Sequence, residues 1–302
     1  MRSKYFIYGI LVSTSFPFKQ LKQSNTTHHE DVVVDLDTSL DVPSESLNYK
    51  HWYHTSSSHI AYSRKGVAFF VIENGIELRC KPYPGADYQE VARVLLGIPM
   101  GYLLQQRGMH VLHASVVNID GQAAAFNGLS GSGKSTMAAS FLQNNHSLLT
   151  EDTAAIDLST MMVVPAFPSL IIAQDALEQL DLPPRELINA PTDSRNRFIY
   201  PMDDKQFYGQ PAKLKNCYLL EWGEQLSIEP VEVKQAFFQL FPHTFRPITG
   251  ADSEELDTES FKKMTDFANK VSVYKLTRPK SFASLDDCRL LVEEHMQQRE
   301  PR

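Results

Sequence analysis

One run of eight residues constrains this chain more than any other feature. Gly128-Leu129-Ser130-Gly131-Ser132-Gly133-Lys134-Ser135 fits the pattern Gly, four free positions, Gly-Lys-Ser in full. With glycine at roughly 7% of residues, chance supplies such a run on the order of once per hundred chains. An apolar stretch, residues 123–126, leads into it, and residues 136–142 read as a helix leading out. Strand, glycine loop and helix N-terminus are the parts such a loop needs. Glycines at 128, 131 and 133 let the backbone fold tightly and aim its N–H groups at phosphate oxygens. The helix start adds the positive end of its dipole. Lys134 is placed to reach β- and γ-phosphates, and the Ser135 hydroxyl to sit on Mg²⁺. The expected nucleotide-binding set is Gly128, Ser130, Gly131, Ser132, Gly133, Lys134, Ser135 and Thr136, with ATP and Mg²⁺ as ligands. The competing reading is a glycine-serine loop that only turns the chain.

A phosphate loop holds a nucleotide but does not choose an acceptor. Leu148-Leu149-Thr150-Glu151-Asp152 puts two carboxylates at the end of an apolar strand beyond the loop. A carboxylate there can hold Mg²⁺ or take a proton from an attacking hydroxyl. Asp157 competes for the metal role. Arg195 and Arg197 are candidate clamps for transition-state charge, or simply a solvated basic turn. His113, upstream of the loop, lies beside apolar strand residues, where a histidine is ordinarily structural.

The remaining chain falls into a β-rich part and an α/β part, with the expected divisions 1–85, 86–107 and 108–302. Expected strands in the first part are 5–12, 31–36, 59–63, 67–72 and 76–80, the last two joined through Asn74-Gly75, a strong hairpin signal. Residues 19–30 and 51–59 read as polar loops. Residues 88–106 carry helical apolar spacing interrupted by Pro99 and read as a connecting helix. Beyond residue 108, strands and helices alternate, as in a layered α/β domain: strands at 111–119, 123–126 and 148–150, and a helix from Lys134. A hairpin of 217–222 with 226–228 follows, then helices at 233–241 and 253–270, a strand at 271–276 and a helix at 284–296.

Composition removes several classes. The net charge of −7, from 29 Lys and Arg against 36 Asp and Glu, lacks the basic surface of a nucleic-acid binder. The three cysteines, Cys80, Cys217 and Cys288, form neither a disulfide framework nor a Cys-x-x-Cys metal site, which points to a reducing cytoplasm. His28, His29, His51, His54 and His59 are irregularly spaced, so no metal is assigned to them. The opening run 5–12 follows Arg2 and Lys4, but no small-x-small cleavage site comes after it, and it is too short to span a bilayer. Its aromatic and β-branched content reads as a strand, and no membrane association is expected.

The loop, His113 and the stretch from His146 to Asp152 together resemble the catalytic domain of the HPr kinase/phosphorylase family. That family combines a histidine, a Gly-x-Ser-Gly-x-Gly-Lys-Ser loop and an acidic pair at similar separations. The resemblance implies that His113 contacts the transferring phosphate, Asp152 is the general base, and Glu151 stands for its acidic partner and binds the metal with Ser135. It covers roughly residues 108–160. Thr136 stands where the bifunctional enzymes carry an acidic residue, and their later glycine-rich signature loop has no counterpart, so phosphorolysis is not expected. Over most of the chain, more loosely, the sequence looks like stand-alone HPr-kinase-like proteins of bacterial peptide-biosynthesis clusters, including lasso peptide precursor kinases, with Arg107–Ser115 directly before the nucleotide domain.

The resemblance implies an α/β P-loop kinase domain of the HPr kinase/phosphoenolpyruvate carboxykinase type, behind a smaller β-rich N-terminal domain. The implied activity is transfer of a γ-phosphoryl group to a serine of a peptide or small protein, with Asp152, His113, Lys134 and Glu151 as catalytic residues. Family members often form homo-oligomers. The β-rich part carries no catalytic motif and is expected to select or position the acceptor. Two other readings stay open: a kinase or carboxykinase-like phosphotransferase acting on a small metabolite, and a nucleotide-gated binding protein without transfer.

Overall fold

The computed structural model describes residues 2–16, 18–56, 58–189, 196–245 and 253–298. Ser194, Arg195 and Asp252 lie outside the described residues. The described chain forms two compact units, residues 2–111 with 245 and 253–263, and residues 112–189, 196–244 and 264–298. Both mix strands and helices.

The first unit opens with an antiparallel hairpin, β1 (Ser3–Ile7) and β2 (Ile10–Thr14), where the sequence suggested one strand. Tyr8 and Gly9 adopt φ of 52° and 68°, so both central residues are left-handed, the geometry a two-residue hairpin requires. The short β3 (Gln23–Ser24) flanks β1, and β4 (Val32–Leu36) runs parallel to β2. Residues 51–59, expected as a loop, instead supply β5 (His51–Thr55), which pairs residue for residue with β6 (His59–Arg64). β7 (Ala68–Glu73) and β8 (Glu77–Pro82) complete a meander, and β8 returns parallel to β4. The sheet order is β3-β1-β2-β4-β8-β7-β6-β5. Helix α1 (Tyr88–Leu96) is capped by Asp87, whose carboxylate accepts from the Gln89 N–H at 2.7 Å. Gly97 breaks it from α2 (Ile98–Gln106), whose first turn holds Pro99, where no N–H is needed.

The strand expected over 111–119 divides at His113 into β9 (His110–Leu112) and β10 (Ala114–Ile119). β10 pairs antiparallel with β11 (Gln122–Asn127), which delivers the glycine loop and α3 (Lys134–Gln143). β12 (Ser147–Thr150) returns antiparallel on the other side of β10. A hairpin follows, β13 (Ala154–Asp157) with β14 (Met162–Val164). A separate three-stranded sheet is made of β15 (Ser169–Ala173), β16 (Ile188–Asn189) and β17 (Arg197–Pro201), with helix α4 (Gln174–Gln179) after β15. β18 (Ala212–Trp222) then lies parallel to β11.

The next strand, β19 (Ser227–Pro230), does not form the expected hairpin with β18. The chain passes through α5 (Val233–Leu240) and α6 (Ser253–Lys270), and β20 (Ser272–Arg278) slots in parallel to β18. β19 pairs antiparallel with β20 instead. The intervening helices give the long crossover that parallel neighbours need. Helix α7 (Leu285–Gln297) closes the unit.

Both faces of this sheet are buried. Ala124 and Phe126 of β11 point into a core with Met137 and Phe141 of α3 and Cys288 and Val292 of α7. Ala123 and Ala125 point the other way, into a core with Phe237, Leu240, Met264 and Phe267. Strands covered on both faces lose polar alternation, which is why β11 reads as a plain run of small residues. Phe126 stacks between Phe141 and Tyr218, with ring centroids 5.5 and 5.7 Å away. Three parallel strands, β11, β18 and β20, run to the same edge of the sheet, β11 ending three residues short of the other two, and ligands of open α/β sheets bind outside such carboxyl ends.

Candidate functional site

The glycine loop leaves the end of β11 with no room to spare. A Cβ on Gly128 would lie 2.7 Å from Ser132 Oγ and 3.2 Å from the Leu220 carbonyl oxygen of β18. Gly133, at φ 85°, is the left-handed residue that opens α3, and a Cβ there would meet Arg278 Nη2 at 2.2 Å. Within the loop, the Ser132 N–H donates to the Leu129 carbonyl at 3.0 Å. No side chain caps α3, and its first turn holds no acidic residue. Its leading N–H groups are therefore left for an anion.

The lysine and serine that follow point to different partners. Lys134 is buried and folds back on the loop, with Nζ donating to the Gly128 carbonyl at 2.9 Å. Ser135 Oγ donates to Glu151 Oε1 at 2.5 Å. A hydroxyl and a carboxylate side by side make a hard-oxygen pair of the kind Mg²⁺ takes, with phosphate oxygens and water completing the shell. Burial pushes the Glu151 carboxyl up to about 8, and the neighbouring Asp152 charge adds to this. The Ser135 hydrogen bond and the charges of Arg197 and Lys134 pull the other way.

Asp152, one residue on, is exposed and faces His113. Its Oδ1 lies 3.1 Å from His113 Nδ1, which is also 3.1 Å from the Asp152 carbonyl oxygen. Two half-buried contacts fix this corner. Asn127 Nδ2 donates to the His113 carbonyl at 3.0 Å, and Ser115 Oγ donates to the Glu151 carbonyl at 2.5 Å. The break between β9 and β10 at His113 lets the imidazole reach the acidic pair.

No protein-family model matches the chain, and no curated protein matches its sequence. Among solved structures it is similar to the Hpr(Ser) kinase/phosphatase from Coxiella burnetii, at 10% identity and a TM-score of 0.31. The match covers 62% of this chain and 97% of that one.

The structure gathers the loop from Gly128 to Thr136 with Glu151, Asp152 and His113 in one unit. Arg197, at the start of β17, acts electrostatically on Glu151, while Arg195 lies outside the described residues. Asp157 does not join them. It accepts hydrogen bonds from the Ser159 N–H, Ser159 Oγ and Thr160 Oγ1 at 2.7–3.0 Å, holding the turn between β13 and β14. Those bonds keep its carboxyl below the ordinary range. Among the described residues, no three His, Cys, Asp or Glu side chains gather as a metal cluster, and no helix is long and apolar enough to cross a membrane.

Two residues of this corner escape a sequence reading. The His243 carbonyl accepts from the His113 N–H at 2.9 Å. Burial, with the charges of Lys134 and His113, pushes the His243 imidazole down to about 4, so it stays neutral. Arg278, 2% exposed at the end of β20, donates from Nη2 to the Ser132 carbonyl at 2.9 Å. Neither lies in a recognisable motif: β20 brings Arg278 to the loop, and an isolated bridge between Leu112 and Thr244 brings His243 to His113.

Proposed function

We infer that this chain is an ATP- and Mg²⁺-dependent kinase of the HPr-kinase-like P-loop type, transferring a γ-phosphoryl group to a serine hydroxyl of a peptide or small protein in the cytoplasm. The observation that carries the reading is the acidic pair set against the glycine loop, with Glu151 bonded to Ser135 and Asp152 beside His113. The two carboxylates differ in environment, and such pairs divide labour between metal holding and proton transfer.

The loop amides and Lys134 hold the polyphosphate. Ser135 and Glu151 would hold Mg²⁺, which supplies charge neutralisation on the phosphate oxygens when bound. Asp152 takes the proton of the acceptor hydroxyl as its oxygen bonds to the γ-phosphorus. The bond from that phosphorus to the bridging oxygen breaks, and ADP carries the electron pair away. His113 orients Asp152 and adds positive character when protonated. Phosphoryl transfer rests on positioning and electrostatics, and these groups suffice for it.

The test is transfer itself. With γ-labelled ATP, Mg²⁺ and serine-containing peptides, label should appear on serine and vanish in Asp152→Asn. Label confined to small molecules redirects the acceptor assignment, and nucleotide binding without transfer to any acceptor refutes the kinase reading.

A further inference from the structure

On the side of the loop away from Glu151 lies a cavity of about 270 Å³. Gly131, Gly133 and Thr136 form one wall, and Trp222, Phe282 and Leu285 supply aromatic and apolar surface. Arg278 and Lys280 add positive charge. We propose that this cavity takes the base and ribose of a purine nucleotide, with Trp222 as its stacking surface, a proposal that rests on the loop's reading as a phosphate site.

The parallel register of β18 and β20 places Trp222 opposite Arg278, each the last residue of its strand. The guanidinium lies 4.1 Å from the centre of the Trp222 ring and bonds the loop at Ser132. That contact fixes the indole plane beside the loop at low entropic cost, since a cation over an aromatic face is attractive. Trp222 nevertheless stays 40% exposed, so ring surface is left for a ligand to cover.

The chemistry of the walls selects the occupant. A second phosphate group would match Arg278 and Lys280 but not the surface of Trp222, Phe282 and Leu285. A planar heterocycle matches both, by stacking and by accepting from the cations. Asp175, also on the wall, is an acceptor and suits the amino edge of a base. Ser135 faces Glu151 while its neighbour Thr136 faces the cavity. The nucleotide is thereby oriented, base toward Trp222 and terminal phosphate toward Asp152.

Tryptophan fluorescence reads this directly, because the chain has two tryptophans, Trp52 and Trp222. In Trp52→Phe, Trp222 emission should change on titration with ADP and with adenosine, but not with inorganic triphosphate. Trp222→Ala should weaken ADP about tenfold by calorimetry, on the scale of one lost base stack. Inorganic triphosphate should bind it within about twofold of the parent, and Trp222→Phe should recover most of the ADP affinity. If ADP binds by calorimetry while Trp222 emission stays constant and Trp222→Ala binds it normally, the base pocket is refuted and the phosphate site stands. Equal affinity and equal emission change with CDP overturn the purine assignment. If neither ADP nor inorganic triphosphate binds, the phosphate reading fails and takes the pocket with it.

Discussion

Replacing Gly133 with alanine puts a methyl group where Arg278 Nη2 now lies, 2.2 Å from the new Cβ. Backbone strain comes first. At φ 85° an alanine costs roughly 1–2 kcal/mol over glycine. The clash comes second. The guanidinium must withdraw from the Ser132 carbonyl, and a buried hydrogen bond from a charged donor contributes about 1.5–3 kcal/mol. Together these give about 3–5 kcal/mol if Arg278 cannot re-pair, or a melting point about 5–8 °C lower at the roughly 1.6 °C per kcal/mol expected for 302 residues. Calorimetric melting of Gly133→Ala, Arg278→Ala and the double variant separates the parts. The double variant should be at least about 1 kcal/mol less destabilised than the sum of the singles, because removing Arg278 relieves the clash. Strict additivity, or a Gly133→Ala melting point within 1 °C of wild type, would refute the claim that the loop leans on Arg278.

Asp152→Asn should retain ADP affinity and lower single-turnover transfer roughly 10²–10⁴-fold, and a wild-type rate would remove Asp152 from the role of base. Glu151 holds its proton up to about 8 in the folded protein against an ordinary value of 4.5. Its contribution to metal-free stability is therefore present at low pH and lost as pH rises from 4.5 through 8. Melting curves across that window should fall for the wild type and flatten for Glu151→Gln, while Mg²⁺ affinity in the wild type rises with pH as the proton leaves. His243 has the opposite sign. Held near 4 against an ordinary 6.5, it favours the folded state above 6.5 and loses that contribution as pH falls toward 4. His243→Gln should melt with less dependence on acid over that range, and an unchanged acid profile would show that the imidazole is not held neutral.

What the sequence disclosed was what lies contiguous in it. Gly128–Ser135 and Glu151-Asp152 carry their chemistry in neighbouring residues, so spacing alone marks them. β5 escaped notice because histidines and a threonine dilute its apolar signal, although pairing with β6 settles its form. The turn at Tyr8-Gly9 escaped because tyrosine is an uncommon choice at φ 52°, unlike Asn74-Gly75 between β7 and β8. The hairpin expected around Gly223 failed for a different reason. Two adjacent apolar runs looked like partners, and the better neighbour, β20, lies far along the chain. The same long-range pairing hid Trp222 and Arg278.

The anchor of the loop comes from β20, more than 140 residues further along the chain than Ser132. A nascent chain that has emerged as far as α6 already carries every glycine of the loop, Lys134 and both acids. It still lacks Arg278, and so has nothing to hold the Ser132 carbonyl or to fix the Trp222 ring. The support of the loop is thereby absent until residue 278 has been made. A polypeptide stalled or clipped before residue 278 keeps the whole signature and loses the support beneath it.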